Sequence, residues 1–365
     1  MRFPVSVREW EGVAQRKLTA DVYDFFTGAA GDEAGKQANS DALSAIKLIS
    51  RILRGVQKPD ISSHTFSALT GHTPLPAPIF IAPTAHHTLA HPEGELATAR
   101  ASAALTIPYI LSSMSDFSVT DVACETHAIL WQQLYIQQDR EKTLEKIRQA
   151  ESSGASAFVL TVDMPVMGNR LRDRKNNFLP HRYPSVGDEP SQLAGFVAGT
   201  LDPSLCWRDI QWVRDHTALP LVLKGIIHPE DAALALEYGI DALYLSNHGG
   251  RQLDYHLSPF TTLPAVAEII QQRVPLIIDG SIATGVDIFK ALALGADAVA
   301  IGRPVLWALS AYGQQGVQEL LSQLMDDLQR TMHICGCPAL KDINRDYLWL
   351  APHIFLNPRQ GEFNQ

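Results

Sequence analysis

The stretch Ser246-Asn247-His248-Gly249-Gly250-Arg251-Gln252-Leu253-Asp254 sets an imidazole and a guanidinium three residues apart around two adjacent glycines. Histidine is the side chain whose proton affinity lies nearest neutral pH, and arginine offers a planar fork that matches a carboxylate. Paired glycines let the backbone turn tightly and approach a ligand closely. A base beside an anion clamp suits a substrate that carries both a removable proton and a carboxylate. In isolation the same nine residues also read as a polar surface turn, so the rest of the chain has to decide.

The elements that must position these groups are legible as a rhythm. His248 follows the apolar run Leu243-Tyr244-Leu245, and similar runs stand at Ile79-Phe80-Ile81-Ala82, Tyr109-Ile110-Leu111, Ile129-Leu130-Trp131, Phe158-Val159-Leu160-Thr161-Val162, Leu221-Val222-Leu223, Leu276-Ile277-Ile278 and Val299-Ala300-Ile301. These eight short runs, with helical patterns in most intervals, read as strands buried on both faces of a parallel sheet. Gly154-Ala155-Ser156-Ala157, Gly239-Ile240-Asp241-Ala242 and Gly295-Ala296-Asp297-Ala298 repeat between a helical pattern and a strand, where glycine ends the helix. The expected fold is an α/β (βα)8 TIM barrel. Ahead of it, Val7 to Leu18 and Ala20 to Phe26 have helical spacing, so residues 1–70 are expected as a helical extension covering one end of the barrel. Residues 71–350 are assigned to the barrel and 351–365 to a loose tail, and Gly316 to Met332 reads as an amphipathic helix.

A barrel of this kind carries its chemistry just after the strands, at the C-terminal face. Polar or chemically capable residues follow all eight runs: Thr84-Ala85, Ser112-Ser113, Gln133 and Tyr135, Asp163, Lys224-Gly225, Ser246 with His248 and Arg251, Asp279-Gly280, and Gly302-Arg303. Singly, each has an ordinary reading as a helix cap or turn solvator. Together on one face they form a site. Gly280, Gly302 and Arg303 occupy the place where barrels commonly hold phosphate. Lys224, set among apolar residues, needs an anion, which the ring edge of a reduced flavin would supply. Gln133, Ser112, Thr161 and Ser246 suit the polar edge of a heterocycle. His248 reads as a general base, Asp163 as the carboxylate that orients it, and Arg251 and Arg170 as carboxylate partners.

Composition narrows the partners. The chain has 365 residues and a formal net charge of −9, with 30 basic and 39 acidic residues. That balance disfavours nucleic acid or an anionic membrane as partner. The N-terminal Met1-Arg2-Phe3-Pro4-Val5 lacks the apolar core of a secretion signal, and no run approaches the ~18 apolar residues that span a bilayer, so a cytoplasmic protein is expected. Cys124, Cys206, Cys335 and Cys337 lack metal-ligand spacing and are expected as buried reduced thiols, with no metal site.

At this point the motifs carry a family resemblance. Ser246 to Asp254 resembles the active-site signature of the FMN-dependent 2-hydroxy acid oxidases and dehydrogenases, which include glycolate and lactate oxidases and the mandelate and hydroxymandelate enzymes. The similarity runs from about Tyr23 to Pro338, through Ile81-Ala82-Pro83-Thr84-Ala85, His91-Pro92-Glu93-Gly94-Glu95, Gln133-Leu134-Tyr135, Thr161-Val162-Asp163, Lys224-Gly225 and Ile301-Gly302-Arg303-Pro304. It implies that flavin mononucleotide (FMN) lies across the barrel mouth, held by Thr84, Ala85, Ser112, Gln133, Thr161, Lys224 and Ser246. Asp279, Gly280, Ser281, Gly302 and Arg303 complete the cofactor set. It also implies that an L-2-hydroxy acid is oxidised to the 2-keto acid: His248 takes a proton, Asp163 pairs with His248, Arg170 and Arg251 hold the carboxylate, and Tyr135 contacts substrate oxygen atoms. Oxygen would then reoxidise the cofactor to give peroxide. Members commonly form tetramers.

The chain departs from that pattern at three positions. Phe25 stands where many members have a carboxylate-binding Tyr, and Met114 where glycolate oxidases carry Trp. Both changes predict a roomier, more apolar pocket, closest in pattern to the hydroxymandelate oxidases, and an aryl or larger aliphatic substrate. Ala283 stands where relatives usually place a phosphate-binding Arg. The loss of one charge-assisted bond, ~1.5 to 3 kcal/mol, predicts FMN held about tenfold or more less tightly. Between the fourth and fifth runs, Met164 to Leu219 is long and contains Pro180, Pro184, Pro190 and Pro203, and 176–205 is expected as a lid. Asp188, Glu189 and Gln192 dilute its apolar residues, which favours oxygen over a membrane-coupled acceptor, as does Ala85 beside the flavin. The alternatives are a dehydrogenase with another acceptor and an oxidase of small substrates such as lactate or glycolate.

Overall fold

The structure, a computed structural model, describes residues 2–179 and 197–350. The expected tail 351–365 and residues 180–196 of the expected lid lie outside the described residues.

Eight parallel strands close into a barrel in sequence order, each pairing with the next and the eighth with the first. They are Ile79–Ile81, Tyr109–Leu111, Leu130–Leu134, Ala157–Thr161, Leu221–Ile226, Ala242–Leu245, Leu276–Ile278 and Ala298–Ile301. The apolar runs are continuous because both faces are buried. Phe80, Ile110, Trp131, Val159, Val222, Tyr244, Ile277 and Ala300 fill the interior. Their neighbours Ile79, Tyr109, Leu130, Phe158, Leu221, Leu243, Leu276 and Val299 belong to the core shared with the surrounding helices. Two strands are longer than expected. The third runs on through Gln132 and Gln133, and the fifth through Lys224, so polar residues placed after these strands stand within them.

The repeated Gly-x-Asp-Ala has a second purpose that patterning does not reveal. Asp241 accepts from the Leu221 amide at 2.7 Å, and Asp297 accepts from the Leu276 amide at 2.8 Å. In each case the carboxylate ties down the start of the preceding strand, which pins the register between neighbours.

The N-terminal extension contains helices Val7–Lys17, Ala20–Thr27 and Ala34–Ala45. Ser6 caps the first by accepting from the Glu9 amide, and Trp10 joins it to the last helix by donating to Gln323 Oε1 at 3.2 Å. That last helix, Arg303–Cys335, is broken at Tyr312 and Gly313, and beyond the break Gly316, Val317, Leu320, Leu321, Leu324 and Leu328 form its buried face. The second and third helices reach the C-terminal face of the barrel. The opposite end is closed by Phe66, Leu69 and Leu75, with Trp131 donating to the Leu69 carbonyl at 2.8 Å. No helix among the described residues is long and apolar enough to cross a membrane. Cys335 and Cys337 are buried as expected, whereas Cys124 and Cys206 are exposed. Cys124 lies on the amphipathic helix Val119–Thr126, whose buried residues are Val119, Val122 and Thr126, and Cys206 is the N-cap of Trp207–Arg214.

Candidate active site

His248 stands just beyond the sixth strand in a short turn whose geometry is built locally. Asn247 accepts from the Gly250 amide, and the His248 amide donates to Ser246 Oγ at 2.9 Å. His248 itself takes φ +57°, a left-handed conformation uncommon for a residue other than glycine and one that functional sites often retain. Its Nδ1 lies 3.0 Å and 3.2 Å from the two oxygens of Asp163, which follows the fourth strand. Room for Asp163 comes from the neighbouring strand. Gly225 sits at a register shift in strand five with φ +108°, and a Cβ there would lie 2.6 Å from the Asp163 Cβ.

Burial pulls the His248 imidazole below its ordinary value of 6.5, and the opposing pull of Asp163 only partly offsets this. Burial pulls Asp163 the other way, upward, yet the charges of His248 and Lys224 hold it below the usual carboxylate range. The two directions are compatible because Lys224 keeps Asp163 ionised while His248 is neutral. The pair is thus a neutral imidazole whose Nδ1–H points at a carboxylate, leaving Nε2 as the basic nitrogen.

Beside it, cations gather on one helix end. Arg251 donates to the carbonyls of Phe25 and Gly28, each at 2.8 Å. Arg303 donates to Phe26 at 3.1 Å, Gly28 at 2.9 Å and Gly249 at 3.0 Å. Apart from that of Gly249, these carbonyls end the helix Ala20–Thr27, where the helix dipole is negative and cations are favoured. Arg170 is held by the Gln252 side chain at 3.1 Å. Its position depends on Gly168, where a Cβ would collide with the Arg251 carbonyl. Burial, followed by the proximity of Arg251, pushes both Arg170 and Arg303 down to about 9. Such a crowd of like charges favours an anion between them.

His248, Arg170, Arg251, Tyr135, Phe25 and Met114 line one cavity of about 440 Å³ at the barrel mouth. Thr84, Ala85, Ser112, Lys224, Asp279, Gly280, Ser281, Gly302 and Arg303 line its other side. Four expected residues stand behind the wall instead. Asp163 backs His248. Ser246 accepts from Lys224 at 3.2 Å. Gln133 donates to Thr161 at 3.1 Å and accepts from the Ser113 amide at 2.8 Å, because the longer third strand carries it into the buried layer.

The donor and acceptor set fits FMN. Buried Lys224 has three donors, of which Ser246 takes one, leaving charge for the ring edge of a reduced flavin. Asp279 accepts from Tyr244 at 2.9 Å through one oxygen, while its other, buried oxygen has no partner. The ribityl hydroxyls of FMN are donors for that oxygen. Gly302 lines the cavity at the start of the helix Arg303–Cys335, whose amide end suits phosphate.

The cavity wall includes groups that the sequence reading missed. Met164 and Val197 line the cavity and pack with Tyr135, Leu201, Met114 and Met167. Phe25 stacks on Phe178 at 4.5 Å and lies 5.3 Å beneath the Arg251 guanidinium. Lys36 also lines the cavity. Only Lys36 left a usable signal: it shares a helix face with Asn39 and Ser40 through three- and four-residue spacing.

The chain matches the FMN-dependent dehydrogenase family over residues 14–350. Peroxisomal (S)-2-hydroxyacid oxidase GLO3 of Arabidopsis thaliana is 40% identical over 353 residues, covering 94% of this chain and 96% of the relative. Glycolate oxidase of Spinacia oleracea is 39% identical over 362 residues, covering 95% and 97%. The crystal structure of mandelate oxidase superposes with a TM-score of 0.88 at 37% identity, covering 95% of this chain and 98% of that one. Its complex with (S)-4-hydroxymandelic acid gives 0.88 at 36% identity with the same coverage.

Proposed function

The chain belongs to the FMN-dependent dehydrogenase family and is an FMN-dependent (S)-2-hydroxy acid oxidase; from that premise we propose that it oxidises an aryl or larger aliphatic substrate of the mandelate kind to the 2-keto acid, passing electrons to oxygen to give peroxide. The observation that carries this reading is the His248–Asp163 pair, 3.0 Å apart, beside Arg170 and Arg251 in a cavity whose other wall is Phe25, Met114, Met164, Met167 and Val197.

The bound flavin supplies a two-electron acceptor. Arg170 and Arg251 take the substrate carboxylate as a planar, charge-assisted pair, which fixes the 2-carbon relative to His248. Tyr135 packs with Met164 and Val197 on the apolar wall, and its hydroxyl is the group that would contact substrate oxygen atoms. His248 removes a proton at Nε2, and Asp163 holds the ring and stabilises the imidazolium that forms. The methionines and phenylalanines offer apolar area to an aromatic ring and adapt to its outline. They give glycolate little to bury. Ala85 lines the cavity with a single methyl group, which would leave room for oxygen beside a bound flavin.

Oxygen uptake and peroxide release with (S)-mandelate, lactate and glycolate test the reading. We expect kcat/KM for mandelate to exceed that for glycolate by about tenfold or more, since ring burial contributes on the order of 1.5–3 kcal/mol. One peroxide should form per keto acid. A clear preference for glycolate would overturn the substrate class, and keto acid formed without peroxide would overturn the acceptor.

A further inference from the structure

The position expected to neutralise the cofactor phosphate is vacant of charge: Ala283 lines the cavity beside Gly280, Ser281 and Gly302, with a methyl group where the family resemblance led us to expect an arginine. A cation from elsewhere in the fold faces the same region. Lys36 lies on the helix Ala34–Ala45, one turn before Asn39 and Ser40. Asn39 packs against the phosphate-side loop, where a Cβ on Gly280 would lie 3.2 Å from its side chain, and Ser40 lines the cavity. Three- and four-residue spacing puts all three on one helix face, so Lys36 is carried on the surface that meets the 280–283 loop.

Its ammonium is placed by the cation rack already described. Lys36 Nζ donates to the Thr27 carbonyl at 2.8 Å, between the carbonyls of Phe26 and Gly28 that hold Arg303. Lys36 and Arg303 are therefore neighbours on consecutive peptide groups. Glu33 and Glu11 attract the ammonium, and Glu11 lines the same cavity. Burial, with Arg303 adding to it, pushes the ammonium down to about 8. Burial and Arg303 outweigh the two carboxylates, so this half-buried cation beside a second cation gains from a further anion, and a phosphate dianion would meet both at once.

Building on the FMN reading of the cavity, we infer that Lys36 is the second cation of the cofactor phosphate site, supplied by the N-terminal extension in place of the arginine missing at Ala283. The extension then contributes to cofactor retention as well as covering the barrel, and the weak FMN binding expected from Ala283 alone is offset.

FMN and riboflavin, which lacks the phosphate, separate a phosphate contact from a structural one. Dissociation constants for both are measured by flavin fluorescence on the wild type and on the K36M, K36R, A283R and K36M/A283R variants stripped of flavin. The inference predicts that K36M weakens FMN about tenfold or more and leaves riboflavin unchanged. K36R retains FMN, and adding A283R to K36M restores it. Equal weakening of FMN and riboflavin in K36M would reduce Lys36 to a structural group on the helix end and overturn the inference. So would unchanged FMN binding. Wild-type protein that binds neither flavin would instead remove the FMN reading on which the inference rests.

Discussion

At the scale of residues, the decisive group is His248, and its surroundings fix what titration should show. Burial lowers its affinity for a proton in the folded protein. The neutral, base-competent form therefore persists to lower pH than in a free imidazole. The acidic limb of kcat/KM is expected below pH 6.5, and a limb above 7 would contradict that sign. Asp163 opposes the lowering, so Asp163→Asn moves the limb further down while reducing the rate, because the ring loses its orienter. His248→Gln is expected to lower kcat by about 10²–10⁴ with flavin absorbance intact. Arg170→Met should raise KM by roughly 10- to 100-fold, the value of a charge-assisted bond to the carboxylate. Measurements of KM for substrate and of inhibition by an unreactive carboxylate acid should move together. His248 and Arg251 were legible because they share one short motif. Asp163 lies 85 residues from His248 and was reached only through its place after a strand. Met164 and Val197 could not be reached that way, since nothing in their spacing says which loop residues fold back over the mouth.

Elements decide how tightly those groups are held. The eight strands were visible as apolar runs because a barrel strand is buried on both sides and has no polar alternation to blur it. Their ends were less visible. Gln133 and Lys224 look like post-strand residues, but tertiary pairing extends strands three and five through them. Gly225 is the element-level hinge of the site, since its left-handed backbone lets strand five bulge away from Asp163. Gly225→Ala is expected to cost about 1–3 kcal/mol through backbone strain and contact with Asp163. It should also lower kcat, because Asp163 must move. Denaturant melts and steady-state assays on this variant check both; loss of stability with undiminished kcat would show that Asp163 tolerates the shift. The helix Ala20–Thr27 has a comparable role. Its last carbonyls hold Arg251, Arg303 and Lys36, an arrangement invisible to a reading that treats residues 1–70 as a cover.

For the whole molecule, the main feature is the contrast between a net charge of −9 and a cavity ringed by Arg170, Arg251, Arg303, Lys36 and Lys224. The global charge disfavours polyanions, while the local field gathers small ones. Folding thus crowds cations that an anionic cofactor and substrate relieve. FMN at about 100 times its dissociation constant should stabilise the fold by about 2.7 kcal/mol, read as a rise in Tm. An unreactive aryl carboxylate should add a further rise, larger than acetate gives. Equal shifts with both acids would argue against an apolar substrate wall.

The central claim is tested most directly by mixing the FMN-loaded protein anaerobically with (S)-mandelate, (S)-4-hydroxymandelate, lactate and glycolate, following flavin absorbance, and then admitting air. The account predicts fastest bleaching by the aryl acids and prompt recovery of the oxidised spectrum in air. Faster bleaching by glycolate than by mandelate, or a flavin that stays bleached in air, would contradict it.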